Sequence, residues 1–164
     1  MNIFVLSFDP RIAAEHHCDK HVVKMILETA QLLYCAHWAT DPSKLPEGAY
    51  RKTHVNHPCA IWTRESDANY RWLCALGIAL CDEYTFRYGK VHKTRAHIEW
   101  LVANPPALPD IGETSMRLAM PDEYKCDSPV DSYRKYYAGA KSHLLTYSKR
   151  LRPDFLVRPD SSHC

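Results

Sequence analysis

A row of ionisable and amide side chains recurs at helical spacing in the segment IAAEHHCDKHVVKMILETAQLL, residues 12–33. Steps of four, three, four and three residues put these side chains on one helix face, along a stripe about 21 Å long at ~1.5 Å per residue. Imidazole, amine and carboxylate groups on one face could support acid–base, nucleophilic or metal chemistry. The members of the row are His17, His21, Lys24, Glu28 and Gln31.

The first possible use of this row is zinc binding. His17 and His21 stand four residues apart, and His16, Cys18 and Cys35 add potential ligands nearby. Lys24, however, would put a positive charge beside the cation, and no recognised zinc spacing is present. We therefore expect neither a metal ion nor another cofactor.

The second possible use is amine chemistry. A neutral Lys24 could act as a nucleophile and form a Schiff base, with Glu28 one helical turn away as the general acid or base. His17 and His21 would assist or bind phosphate. The structural alternative is a solvated helix face on which Lys24 and Glu28 form an i, i+4 ion pair.

A second polar cluster lies in the segment THVNHP. Asn56 and His57 precede Pro58, where the chain must be extended, so a loop could present both side chains toward the first helix. We expect His57 to join the catalytic group and Asn56 to contact nucleic acid. Capping of the next helix by Asn56 is the structural alternative.

Basic side chains gather near the end of the second helix and in residues 133–152, where tyrosines interleave with them. Such a surface can neutralise phosphates and stack on bases. The alternative is structural, because cations near a helix C-terminus also stabilise the helix dipole and the tyrosines can be buried. The residues expected to contact DNA here are Arg87, Lys90, His92, Arg134, Lys135, Lys141, Lys149 and Arg150.

The elements that must position these groups are mainly α-helical. The apolar run NIFVLSF predicts a short N-terminal strand or extended segment, and helical periodicity predicts long helices over residues 10–37, 59–88 and from Ser128 onward. Ser128 is the expected N-cap of the last one, with Pro129 at its first position. We expect one compact domain over residues 1–164, a bundle of about three long helices with long loops at 38–58 and 104–127.

Composition sets the remaining limits. Hydrophobic residues form 46% of the chain and the net charge is only +2, so a DNA-binding face would need its positive charge gathered locally. Seven cysteines without a CxxC pair, and no charged leader at the start, favour a reducing, cytoplasmic compartment. Since no apolar run reaches the ~18 residues of a membrane span, we expect a soluble monomer that has no membrane partner.

The order of these motifs resembles a known family. The HP dipeptide after a basic loop, the helix end EYTFRYGK and the segment YRKYYAGAK are similar to parts of the endonuclease V-type pyrimidine dimer DNA glycosylases. The start of the chain also resembles proteins of phages and large DNA viruses. The glycosylase resemblance implies an all-α DNA repair enzyme that flips a nucleotide out, attacks C1′ with its N-terminal amine, and cleaves the backbone by β-elimination.

The chain departs from that family in its N-terminus. Asn2 disfavours removal of Met1, so the free amine would be that of Met1, and a mobile Met1 would leave Lys24 as the amine. Glu15, Asp19 and Glu28 are the carboxylates that could match the family's glutamate.

We therefore expect a DNA N-glycosylase and abasic-site lyase that acts on damaged or modified pyrimidines in double-stranded DNA. An enzyme acting on nucleotides or modified nucleosides, and a viral binding protein without catalysis, are the alternatives. The expected catalytic residues are Lys24, Glu28, His21, His17, His57 and Met1.

Overall fold

The N-terminal segment, residues 2–7, is mostly buried and pairs with no strand in residues 1–157, the part of the chain that the computed structural model describes. Residues 3–6 are at most 5% exposed. Side chains bind the segment's backbone instead, because Glu28 accepts the Asn2 N–H and Arg134 donates to the Leu6 carbonyl. The predicted N-terminal strand is therefore wrong, since an extended segment becomes a strand only beside a partner.

The first predicted long helix is two helices, α1 (Pro10–His16) and α2 (Asp19–Thr40). His17 and Cys18 separate them in extended conformation. The Cys18 N–H donates to the Tyr137 hydroxyl, a tertiary contact that replaces the helical hydrogen bond at the break. The predicted row of five side chains is thus broken, because His17 precedes α2 and the other four members lie on it.

The second predicted long helix is also divided, into α3 (Pro58–Glu65) and α4 (Asp67–Tyr88). Ser66 stands between them and caps α4, because its hydroxyl accepts the N–H of Asn69. A serine at the N-cap position is a local capping signal that the periodicity obscured. At the other end, α4 stops at Gly89, whose φ of 70° suits glycine.

Three further helices follow, α5 (Arg95–Ala103), α6 (Pro129–Ala140) and α7 (Asp154–Val157). Ser128 caps α6 and Pro129 is its first residue, as predicted. Residues 1–157 therefore contain seven α-helices and no strand, which confirms the mainly-α class and corrects the number of three long helices.

Helix α4 lies at the centre of the packing, in contact with α1, α2, α3 and α5. Helix α6 covers the N-terminal segment, because Tyr133 and Tyr137 are fully buried and their hydroxyls reach Asn2 and Cys18. The connections before α3 and before α6 are irregular except for one-turn 3-10 helices at Pro42–Lys44 and Asp122–Tyr124. No helix within residues 1–157 is both long and apolar enough to span a bilayer.

Candidate functional site

A cavity of about 450 Å³ opens where the N-terminus, α2, the start of α3 and α6 meet. Five of the six residues predicted to be catalytic line it from α2, the N-terminus and the loop before α3, together with one residue predicted to bind DNA. Residues that are as far apart in the sequence as Met1 and Lys141 thus line one concave site. The ionisable groups that line it are Met1, His21, Lys24, Glu28, His57 and Lys141.

The Glu28 carboxylate is the centre of the site. Its Oε1 atom lies 3.4 Å from the Met1 α-amine and accepts the Asn2 N–H at 3.1 Å, whereas Oε2 lies 3.6 Å from Lys24 Nζ. The Met1 amine, the Asn2 N–H and the Lys24 ammonium group therefore share a single carboxylate. Among the three candidate carboxylates on α1 and α2, Glu28 is the one that contacts the amine.

The two candidate amines differ in their surroundings. The Met1 side chain is only 5% exposed, whereas that of Lys24 is 68% exposed. The mobile Met1 that would leave Lys24 as the amine is therefore not what the structure shows. Burial of the side chain and the contact with Glu28 hold the α-amine in place, while Lys24 reaches the same carboxylate from solvent.

Asn2 anchors the start of the chain, and sequence reasoning missed it. Its Nδ2 donates to the Ala119 carbonyl at 2.9 Å, and its Oδ1 accepts from the Tyr133 hydroxyl at 2.9 Å. Asn2 is 8% exposed and is followed by the buried apolar segment. A lone amide directly before an apolar run is the signal that could have marked it as a buried, hydrogen-bonded residue.

His21 forms one wall of the cavity. Its Nδ1 lies 2.8 Å from the Tyr137 hydroxyl and its ring stacks on Phe4 at 4.5 Å. Burial, followed by the positive groups of His17, Lys141 and Lys24, lowers the pKa of His21 to about 3. The imidazole is therefore neutral at neutral pH.

His57 lies where α3 begins and caps that helix, because its Nδ1 accepts the Cys59 N–H at 3.1 Å. Partial burial, the nearby Met1 amine and His54 lower the pKa of His57, and Glu28 opposes this effect. Asn56 is exposed, does not cap α3 and does not line the cavity. The N-cap of α3 is thus His57, and the predicted capping by Asn56 is wrong.

His17 is separate from the cavity. It is fully buried at the break between α1 and α2, where its Nδ1 lies 2.6 Å from the Ala13 carbonyl. Burial lowers the pKa of His17 to about 4, although the bond to Ala13 opposes the shift. Its Nε2 atom has no hydrogen-bond partner within the described residues. His17 therefore lies outside the site, although it is only four residues from His21 in the sequence.

Two predicted DNA-contacting arginines take part in a buried ion network. The Arg87 side chain has no exposed surface and donates to Glu83 at 2.7 Å and Asp19 at 3.0 Å. Arg150 donates to both oxygens of Glu83 and lies 3.6 Å from Glu15. These contacts join α1, α2 and α4 to the chain after α6.

The other predicted DNA-contacting residues are dispersed. Arg134 donates to the Leu6 carbonyl, Lys149 to the Phe86 carbonyl, and His92 lies 3.0 Å from the Val23 carbonyl. Lys90 is exposed and Lys135 is half-buried, and neither lines the cavity. Lys141 alone of the set lies at the site, with its Nζ 5.1 Å from the centre of the Tyr136 ring.

A larger groove of about 700 Å³ borders α1 and α4, but it lacks a comparable reactive group. Its arginines and carboxylates include the ion-paired Arg71, Glu83 and Arg150. Its thiol, Cys74, is kept protonated because burial raises its pKa to about 12. We therefore place the candidate site at the smaller cavity.

Within residues 1–157, no three His, Cys, Asp or Glu side chains are grouped as a metal site would require. No protein-family model, curated protein or solved structure matches the chain significantly. The resemblance to endonuclease V-type glycosylases therefore stays a prediction. Any function must be argued from the cavity itself.

Proposed function

We propose that the protein is a DNA N-glycosylase with abasic-site lyase activity on damaged or modified pyrimidines, and that the Met1 α-amine is its nucleophile. The observation that carries this proposal is the distance of 3.4 Å between that amine and Glu28 Oε1 at an open cavity. An amine beside a carboxylate can lose its proton and attack an electrophilic carbon. Double-stranded DNA is the proposed substrate.

The reaction balances with these two groups. Glu28 accepts a proton from the Met1 ammonium group, and the freed lone pair forms a bond to C1′ of the sugar. The C1′–N bond to the base breaks, and its electron pair leaves with the base, which takes up a proton. The attacking nitrogen then gives up a second proton, its lone pair forms the C1′=N bond as the C1′–O4′ bond breaks, and O4′ takes up a proton, which leaves a protonated imine.

The lyase step follows from the imine. Because the imine withdraws electrons, a C2′ proton can be removed and the C3′–O bond breaks, so that the 3′ phosphate leaves. Glu28 is the carboxylate at the cavity that can accept this proton. The buried His21 and the half-buried His57 line the same cavity as Glu28.

Met1 suits the role of nucleophile better than Lys24. A nucleophile must be held at the reacting carbon, and the buried Met1 loses less freedom on binding than a lysine that is 68% exposed. Lys24 remains the alternative amine. In our proposal its ammonium group pairs with Glu28 Oε2 and orients the carboxylate.

The test is borohydride trapping on a duplex with one abasic site, followed by tryptic mapping of the adduct. Attachment at Met1 modifies the peptide of residues 1–11, whereas attachment at Lys24 gives a peptide of residues 21–44 with a missed cleavage. Intact mass must first show a free α-amine on Met1. We expect the adduct on residues 1–11 and its loss after Nα-acetylation.

The matched control is Lys24→Ala, which should keep most of the adduct. An adduct that survives acetylation and disappears in Lys24→Ala would transfer the nucleophile to Lys24. Failure of wild type to form any adduct would count against imine chemistry altogether.

A second candidate function is an enzyme acting on nucleotides or modified nucleosides. It is favoured by the engagement of Arg87, Arg134 and Arg150 in intramolecular contacts, which leaves them little capacity for a DNA backbone. This candidate predicts trapping of a free sugar phosphate as efficient as trapping of the duplex.

A further inference from the structure

We propose that the cavity contains a phosphate subsite formed by the Nε2–H groups of His57 and His21 and the ammonium group of Lys141. The ligand is a phosphate monoester or diester. The placement of this phosphate beside the reacting sugar rests on the proposed function, but the subsite itself rests on the hydrogen bonds and charges that surround the cavity.

The tautomer of His57 follows from its capping bond. The backbone N–H of Cys59 can only donate, so Nδ1 of His57 must accept and carries no hydrogen. In the neutral ring the hydrogen is therefore on Nε2, at the other edge of the imidazole. His57 lines the cavity, and in our proposal this N–H faces the bound phosphate.

The tautomer of His21 follows from Tyr137. The Tyr137 oxygen already accepts the Cys18 N–H, and its hydroxyl hydrogen has two possible acceptors, His21 Nδ1 at 2.8 Å and Cys18 Sγ at 3.2 Å. An imidazole nitrogen is a better acceptor than a thiol sulfur, so the hydrogen goes to Nδ1. Nε2 of His21 then also carries a hydrogen.

The charge of the cavity suits an anion. Three ammonium groups, those of Met1, Lys24 and Lys141, line it together with one carboxylate, Glu28. Glu28 is engaged by the first two, whereas Lys141 has no carboxylate within ion-pair distance in residues 1–157. Its Nζ instead lies over the rings of Tyr136 and Phe4, at 5.1 and 6.0 Å from their centres.

Helix α3 adds to the same field. Its N-cap His57 and its first residue Pro58 both line the cavity, so the partial positive charge of the helix N-terminus lies at the wall. Two neutral imidazole donors, one free ammonium group and a helix N-terminus are complementary to phosphate oxygens. A volume of about 450 Å³ can hold a sugar together with that phosphate.

The first measurement uses inorganic phosphate and ¹⁵N-histidine-labelled protein, without any imine chemistry. We expect saturable NMR shifts of the His21 and His57 ring nitrogens at millimolar phosphate, and none at the exposed His143. Lys141→Met should weaken the affinity about tenfold, whereas Lys135→Met, on the same helix region outside the cavity, should not. Shifts that do not saturate, or that His143 shares, would overturn the subsite.

The second measurement separates the two phosphate sources by borohydride trapping. One arm compares 2-deoxyribose 5-phosphate with 2-deoxyribose, and the other compares an abasic duplex with duplexes carrying a neutral methylphosphonate on either side of the abasic site. Loss of the phosphate charge should reduce trapping about ten- to a hundredfold in one arm. The affected arm is the first if the protein binds a free sugar phosphate, and the second if it binds the DNA backbone.

The outcomes also separate this proposal from the proposed function. Equal trapping with and without the phosphate charge, together with no saturable phosphate binding, would overturn the subsite and leave imine chemistry intact. Saturable phosphate binding without trapping on any substrate would support the subsite and contradict the glycosylase and lyase proposal.

Discussion

At the scale of single residues, the site depends on one carboxylate that serves two parts of the chain. Glu28 accepts the Asn2 N–H and contacts the Met1 amine through the same oxygen. The first contact is structural, and the second is chemical in our proposal. A substitution that keeps one and changes the other can therefore separate the two roles.

Glu28→Gln is that substitution. The amide oxygen can still accept the Asn2 N–H, but an amide cannot accept the proton of the Met1 ammonium group. We expect the trapping rate on abasic duplex to fall by about 10² to 10⁴-fold, the range of general-base catalysis, with a melting temperature close to that of wild type. Glu47→Gln, at an exposed position, is the control and should change neither quantity. Wild-type trapping by Glu28→Gln would exclude the carboxylate as the base.

The two buried histidines make the fold sensitive to acid. The pKa of His17 is lowered to about 4 and that of His21 to about 3 because burial disfavours the charged ring. Both rings take up a proton in the unfolded chain near their ordinary pKa of 6.5, so the unfolded state binds more protons below that pH. Stability is therefore complete above about pH 6.5 and falls as the pH decreases toward 4 and 3.

We expect His17→Met to reduce this loss. The wild type should lose on the order of 2 to 3 kcal/mol more than His17→Met between about pH 7.5 and about pH 4.5, because the variant has no imidazole to desolvate there. Urea unfolding at the two pH values measures the difference. His143→Met, which removes an exposed imidazole, should follow the wild type. An identical acid loss in wild type and His17→Met would show that His17 does not supply it.

At the scale of elements, Arg87 joins three parts of the bundle. It lies on α4 and binds Asp19 at the start of α2, the Glu15 carbonyl of α1 and Glu83 of α4 itself. Removal of one partner leaves buried carboxylates without full compensation, which is far more costly than loss of an exposed ion pair.

Arg87→Met should therefore lower the free energy of unfolding by about 3 to 5 kcal/mol. Arg71→Met removes an exposed i, i+4 pair with Asp67 and should leave the free energy of unfolding close to that of the wild type. Denaturant unfolding of both variants gives the comparison. If Arg87→Met kept wild-type stability and instead weakened DNA binding, the result would support the prediction that Arg87 contacts a DNA phosphate.

Gly139 of α6 allows close packing of Tyr124. A Cβ atom at this position would lie 2.7 Å from Tyr124 Cε1, and the Tyr124 ring in turn lies 5.3 Å from that of Tyr136 beside the cavity. Ala normally favours a helix over Gly by about 1 kcal/mol, but here the ring must move.

We expect Gly139→Ala to destabilise the protein by about 1 kcal/mol in wild type and to stabilise it by a similar amount when Tyr124→Ala is also present. Thermal unfolding of the four proteins in this cycle measures the coupling. Stabilisation by Gly139→Ala in both backgrounds would contradict the proposed contact.

At the scale of the whole molecule, the arrangement of cations limits the mode of DNA binding that we propose. The net charge is only +2, and several basic side chains are engaged with carboxylates or carbonyls. Lys24 and Lys141 are the ammonium side chains that line the cavity. A small number of phosphate contacts near the site is therefore expected, rather than an extended basic surface.

The salt dependence of DNA binding tests this arrangement. Lys141→Met should reduce the slope of log K against log salt by about 1 relative to the wild type, because it removes one phosphate contact. Lys90→Met, at an exposed position outside the cavity, should leave the slope unchanged. Fluorescence anisotropy on an abasic duplex gives the three slopes. An effect of Lys90→Met equal to that of Lys141→Met would require a broader DNA surface.

The sequence by itself determined the features that depend on neighbouring residues. The mainly-α class and the Ser128 cap follow from periodicity and local hydrogen bonding, and the spacing of His21, Lys24 and Glu28 places them on one face of α2. These features need only the geometry of one helix.

Only the tertiary structure decided which of these groups meet. The contact of Met1 with Glu28, the burial of Arg87 and the break at His17 depend on elements far apart in sequence. The expected strand failed for the same reason, because no partner strand lies beside residues 2–7 within the described chain. Periodicity reports the face on which a side chain lies, whereas packing selects the group that faces it, and here packing brings the Met1 amine to Glu28.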